Sequence, residues 1–175
     1  MSKEQDKILS AVQTAIRMEI DGKEFYLKSS AASSNETGKK LFQSLAAEED
    51  THRKKFVEIY EAVKTKNEWP AVAIHPDGGK KLQGILNSIS GGGKGDGKAG
   101  KSELDAIQTA MTLENKTYDF YKKQSDTAAY GSEKEFYLTL AAEERGHEKV
   151  LQEYYDYIKD PADWLSRKER ASLDG

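Results

Sequence analysis

The sequence has no cysteine, only three prolines, and no apolar run approaching the length of a membrane span. The missing cysteine excludes disulfides, thiolate zinc sites, iron–sulfur clusters and thiol nucleophiles within these residues. A bilayer span needs ~20 consecutive apolar residues, so no membrane partner is expected. The N-terminal MSKEQDKILS lacks the apolar stretch of a secretion signal, and a cytoplasmic location is expected. An excess of one charge is lacking too. The 27 Lys and Arg nearly balance the 30 Asp and Glu, leaving a net charge of −3. The two signs are interleaved as on solvated helix faces, so no nucleic-acid partner is expected. Few prolines beside 33% charged and 37% hydrophobic residues fit a helix-rich protein, and 175 residues suffice for one domain with a real core.

What is present is a repeat. A shift of 95 residues aligns the two halves without a gap through their informative segments. Residues 11–26, AVQTAIRMEIDGKEFY, match residues 106–121, AIQTAMTLENKTYDFY, at seven of sixteen positions. LAAEEDTH at 45–52 matches LAAEERGH at 140–147, and Trp69 maps onto Trp164. Each half is therefore one supersecondary unit.

That unit reads as a helical hairpin. Ile8, Val12, Ile16, Glu19 and Tyr26 share one helix face, as do Leu45, Glu49, His52, Phe56, Ile59 and Val63. The second half repeats this with Ile107, Met111, Glu114, Tyr118 and Tyr121, and with Tyr137, Leu140, Glu144, His147, Leu151, Tyr154 and Ile158. The spacing predicts an all-α four-helix bundle with crossing angles of about 20°. Hairpins are expected over 3–66 and 102–160, joined by a crossover over 67–101, with the bundle occupying 1–165 and a frayed or partner-binding tail over 166–175. Ser2 with Gln5 and Ser132 with Glu135 have capping-box spacing, and Ser102 with Asp105 is a weaker relative. Turns are expected around SSAASSNETG and SDTAAYGS, and the fourth helix should stop near Asp160-Pro161. Within the crossover, Leu82, Ile85, Leu86 and Ile89 predict a short amphipathic helix, followed by a Gly-rich tether.

Each long helix carries an ionisable residue on its apolar stripe. Isolated buried charges are costly, so six such groups need compensation. Two divalent cations provide it, because four carboxylates carry −4 and the cations +4. Glu49 and His52 are i and i+3, Glu144 and His147 repeat that spacing, and Glu19 and Glu114 lie mid-helix. One Glu from each of two helices and Glu-x-x-His from each of the other two is a dinuclear carboxylate arrangement. The competing reading is a salt-bridged core without metal.

These motifs, MEIDGKEFY, LAAEEDTH, LENKTYDFY and LAAEERGH, resemble the rubrerythrin branch of the ferritin-like superfamily over residues ~5–66 and ~102–160. The resemblance implies a ferritin-like fold and two iron ions, with manganese or a mixed pair as alternatives. It implies Glu19 and Glu114 as lone ligands, Glu49 and Glu144 as bridging carboxylates, and His52 and His147 each completing one metal. It also implies reduction of hydrogen peroxide or dioxygen, with iron storage or handling and a structural bundle with vestigial ligands as alternatives. Tyr26 and Tyr121 follow Glu19 and Glu114 by seven residues. They stand either beside the metals or as core filling. Full rubrerythrins carry a four-cysteine rubredoxin module, so an external electron donor is expected here. Thr117 stands where the family tends to have an extra carboxylate. Asp50 stands where bacterioferritins place a haem-binding methionine, so haem is not expected. A homodimer is expected, with exchange of hairpins through the tether as one form.

Other signals carry less. GDGKAGKS at 95–102 matches a phosphate-binding loop letter for letter, but that loop must follow a β-strand, and ILNSIS is a weak candidate with no other strands nearby. His75, in AIHPDGG, reads as a loop residue. Trp69 and Trp164 are expected to cap the bundle ends.

Overall fold

The structure, a computed structural model, describes residues 2–90 and 100–173, and the predicted tether lies largely outside them. Every regular element among the described residues is a helix: α1 (Lys3–Ala32), α2 (Glu36–Lys66), α3 (Lys80–Ser90), α4 (Lys101–Asp126), α5 (Gly131–Lys159) and α6 (Pro161–Leu173). α1, at 30 residues, is about 45 Å long. It packs chiefly on α2, and α4 chiefly on α5, while thinner seams between α1 and α4 and between α2 and α5 join the two hairpins. This is the all-α bundle expected from the repeat, in the ferritin-like form that the resemblance implies.

Helix ends follow local chemistry. The Ser2 hydroxyl accepts the Gln5 N–H at 3.1 Å and opens α1. Asn67 closes α2 in the left-handed region, at φ 55°, where Asn is tolerated. The Ser132–Glu135 and Ser102–Asp105 caps do not form, because α5 starts at Gly131 and α4 at Lys101. Instead Glu133 reaches back to the N–H groups of Ala129 (2.9 Å) and Tyr130 (3.4 Å). The segment beyond Lys159 also differs from expectation. Pro161 ends α5 and starts α6, since its missing N–H is harmless in a first turn. α6 runs through the boundary expected at 165/166, and buried Trp164 seats it against Tyr157, the rings 5.2 Å apart.

The apolar core falls into two clusters. One gathers Leu41, Phe42, Leu45, Ile107, Leu151, Tyr154 and Ile158, and Leu82, Leu86 and Ile89 of α3 join it. The other gathers Ile8, Val12, Phe56, Ile59, Val63, Trp69, Tyr137 and Leu140. Ile16, Met111 and Tyr118 lie at the margin of the predicted stripes, half-buried, and Ala15 and Ala110 take the buried positions. The long helices also bury Glu19, Glu49, His52, Glu114, Glu144 and His147, midway along their stripes.

The crossover after α2 runs as an extended strap. Gly78 and Gly79 turn it at φ 63° and 76°, a region open to glycine. Asp77 accepts the N–H groups of Gly79 (2.7 Å) and Lys81 (3.2 Å) at the start of α3. The strap crosses α5 at Gly146, where an added Cβ would lie 3.3 Å from the Gly78 carbonyl carbon. A side chain at 146 would press on the strap backbone, which would have to give by a few tenths of an ångström.

Candidate metal centre

The i, i+3 spacing aims Glu49 and His52 inward from α2, and Glu144 and His147 inward from α5. α1 and α4 contribute Glu19 and Glu114 from the opposite side. All six are at most 4% exposed. Their ligand-type atoms converge in two overlapping groups, Glu19–Glu49–His52 and Glu49–Glu114–Glu144–His147, each within 4.8 Å. The His52 Nδ1 is 3.6 Å from Glu19 and 3.5 Å from Glu144. The His147 Nδ1 is 3.4 Å from Glu114, 3.4 Å from Glu144 and 3.9 Å from Glu49. The two imidazoles lie nearly parallel, 6.2 Å apart.

These atoms lack ordinary partners. Glu19 Oε2, Glu49 Oε1, Glu114 Oε2, both oxygens of Glu144 and the Nδ1 of both histidines are buried without a hydrogen bond. An orphaned buried acceptor costs about 1–3 kcal/mol, and native cores rarely tolerate one. Seven together, facing one another, form a donor set that could hold metal ions. Oxygen and imidazole nitrogen suit iron, manganese and zinc, and none of these atoms is a soft thiolate. The residues therefore fit a dinuclear metal site.

Without a cation the site must hold protons. Burial pushes the Glu49 carboxyl well up, and its neighbours Glu19, Glu144 and Glu114 add to this. Burial and then Glu114 push Glu144 up likewise. Burial opposes the charged form of His147, but Glu114 and Glu144 outweigh it and raise the imidazole.

The tyrosines cross between hairpins. Tyr26 of α1 donates to Glu114 of α4, and Tyr121 of α4 donates to Glu19 of α1. Sequence spacing placed each tyrosine on the face of its own helix's Glu; the fold pairs it with the other one. Burial, then the adjacent carboxylates, raises both phenols well above their usual range, so they stay hydrogen-bond donors.

Three features were missed in the sequence. The His147 Nε2 lies 2.8 Å from Glu48. A ligating imidazole held this way is fixed in tautomer and made more basic. The doubled glutamate of LAAEE in both halves was the available signal. Second, a cavity of about 60 Å³ between α1 and α4, lined by Gly22, Tyr26, Glu49, Glu114 and Thr117, reaches the carboxylates. Thr117 turns its hydroxyl back to the Leu113 carbonyl, 3.1 Å away. A Cβ on Gly22 would sit 2.8 Å from Glu49 Oε2, so the glycine leaves that carboxylate its space. Third, the strap covers the opposite side, where a cavity of about 280 Å³ is lined by His52, Glu48, Glu143, His75 and Asp77. His75 is a loop residue there, and exposed. Asp50, next to Glu49, points outward to Lys54 (2.8 Å), Lys23 (2.9 Å) and Arg53 (3.1 Å). Of the phosphate-loop string, only Gly100, Lys101 and Ser102 are described, at the start of α4, and no strand precedes them among the described residues. No helix among the described residues is long and apolar enough to cross a membrane.

Comparison with known proteins agrees. No curated protein and no solved structure matches the chain. A family model described as Rubrerythrin matches residues 10–85 and 105–172, taking in both hairpins and every residue of the buried Glu/His cluster. With that match across most of its length, the chain belongs to the rubrerythrin family.

Proposed function

We propose that the protein is a non-haem di-iron oxidoreductase that reduces hydrogen peroxide or dioxygen. The observation that carries this reading is the convergence of seven unpartnered buried oxygen and imidazole atoms from four helices. Glu19, Glu49 and His52 would hold one ion, and Glu114, Glu144 and His147 the other, with Glu49 and Glu144 placed between them. Two ferrous ions supply one electron each, which suits a two-electron reduction of an O–O bond.

The protein's own residues do the rest. Glu48 orients His147 through Nε2. Tyr26 and Tyr121 hold Glu114 and Glu19 by donating to one oxygen of each, which leaves the other oxygen for a cation. Burial between two apolar clusters keeps bulk water away. The cavity beside Gly22 and Thr117 has room for a molecule the size of peroxide. No cysteine lies among these residues, so they build no thiolate-ligated iron centre to feed electrons to the site.

The test is anaerobic loading with ferrous ion followed by rapid mixing with H₂O₂. Iron in the unaltered protein should oxidise much faster than in an E49A/E144A variant. Equal rates would sink the proposal. Metal analysis of the protein as purified, before any loading, distinguishes iron from a manganese or mixed pair.

A further inference from the structure

The two halves of the cluster come from a repeat, yet their surroundings differ. In the repeat, Glu48 corresponds to Glu143 and His147 to His52. Glu48 is taken up by His147, at 2.8 Å from Nε2. Glu143 is taken up elsewhere. Its Oε1 accepts the Gly78 N–H at 3.1 Å, from the strap that crosses α5. Among the described residues no such hydrogen bond holds His52: its Nδ1 is buried without one, and its ring lines the 280 Å³ cavity under that strap. The strap follows only the first hairpin, since the second continues directly into α6. The strap thus holds Glu143, while its counterpart Glu48 holds His147.

The consequence is chemical. A carboxylate on the far nitrogen fixes the imidazole tautomer, aims its free lone pair and strengthens it as a donor; losing such a partner typically weakens metal binding about 10–100-fold. The position beside His147 also has the larger donor set, with Glu49, Glu114 and Glu144 around the fully buried imidazole. The position beside His52 adjoins the 280 Å³ cavity, against 60 Å³ for the one that reaches Glu114.

We propose that the two cation positions are inequivalent: the one beside His147 fills first and holds tightly, while the one beside His52 fills second and exchanges through the cavity under the strap. This rests on the dinuclear reading of the cluster. It adds an order of loading and a point of exchange, and it makes the chain able to hold two different metals.

The experiment uses the full chain stripped of metal and titrated with Co²⁺, which binds without being oxidised. Calorimetry should show two events of one ion each, separated by about tenfold or more in affinity. Anomalous scattering from crystals grown with one equivalent should place the ion beside His147. E48Q should weaken the tighter event by about 10–100-fold and bring the two together. E143Q should leave the order of filling unchanged. Two equal events, or a first ion beside His52, would overturn the proposal while leaving the dinuclear site intact. No binding at either position would remove the dinuclear reading itself. Should E48Q fail to fold, the one-equivalent map of the unaltered protein still decides.

Discussion

Replacing Glu49 by Gln should make the metal-free protein more stable and the metal-loaded protein less so. Glu49 is 4% exposed, its Oε1 has no partner, and burial with three neighbouring glutamates holds its carboxyl well above the ordinary range. Gln has the same shape, carries no charge, and donates from its amide to a neighbouring carboxylate. An uncompensated buried ion costs several kcal/mol. The native carboxyl avoids part of that by keeping its proton, which leaves a gain of about 1–3 kcal/mol for the neutral isostere. For a chain of this size that is a rise of about 3–10 °C in Tm. The sign with pH follows. Glu49 and Glu144 have folded pKa values above their unfolded ones, near 4.3. Their contribution to stability is complete below that value and is lost as pH rises through the folded pKa. The metal-free protein should therefore weaken from mildly acidic to neutral pH, and E49Q should flatten that slope. A cation reverses the order. Metal at 100 times its Kd adds about 2.7 kcal/mol to the native protein, and E49Q should forfeit most of that. Thermal unfolding by circular dichroism across pH, with chelator and with metal, reads all three. The reasoning fails if chelated E49Q melts below the native protein at neutral pH, or shows the same pH slope.

Metal uptake should release protons, because Glu49 and Glu144 hold them in the free site, and affinity should fall as pH is lowered. Calorimetry in two buffers of different ionisation enthalpy measures the count. Tyr121→Phe removes the donor to buried Glu19 and should cost about 1–3 kcal/mol in chemical unfolding, and Tyr26→Phe should cost Glu114 a similar amount. Gly22→Ala places a Cβ 2.8 Å from Glu49 Oε2 and should weaken metal binding about tenfold, or ~1.4 kcal/mol, in a competition titration. Thr117→Ala, on the other wall of the same cavity, should leave that affinity unchanged. Trp164→Ala should loosen α6 from Tyr157 at a cost of about 3–5 kcal/mol, with loss of helical signal.

Much of this protein is determined by its sequence. Helical periodicity with a 95-residue repeat sets two equivalent hairpins. The i, i+3 pairs Glu49–His52 and Glu144–His147 settle which way their side chains project, because helix geometry is local. Burial of carboxylates on apolar stripes then points to a cation, whatever the surroundings.

Only the tertiary structure decided the relations across hairpins. Tyr26 binds Glu114, and Tyr121 binds Glu19, because the α1–α4 seam brings each phenol to the opposite helix; spacing along one helix carries no information about that seam. The boundary at 165 dissolved because Trp164 finds a seat on Tyr157. Glu48 and Glu143 are identical in local sequence, each in LAAEE. One orients a histidine and the other holds the strap, since Gly78 reaches only α5. A repeat specifies what its copies share; the hydrogen bonds that make them differ depend on a segment that exists once, and are fixed only when the chain is folded around them.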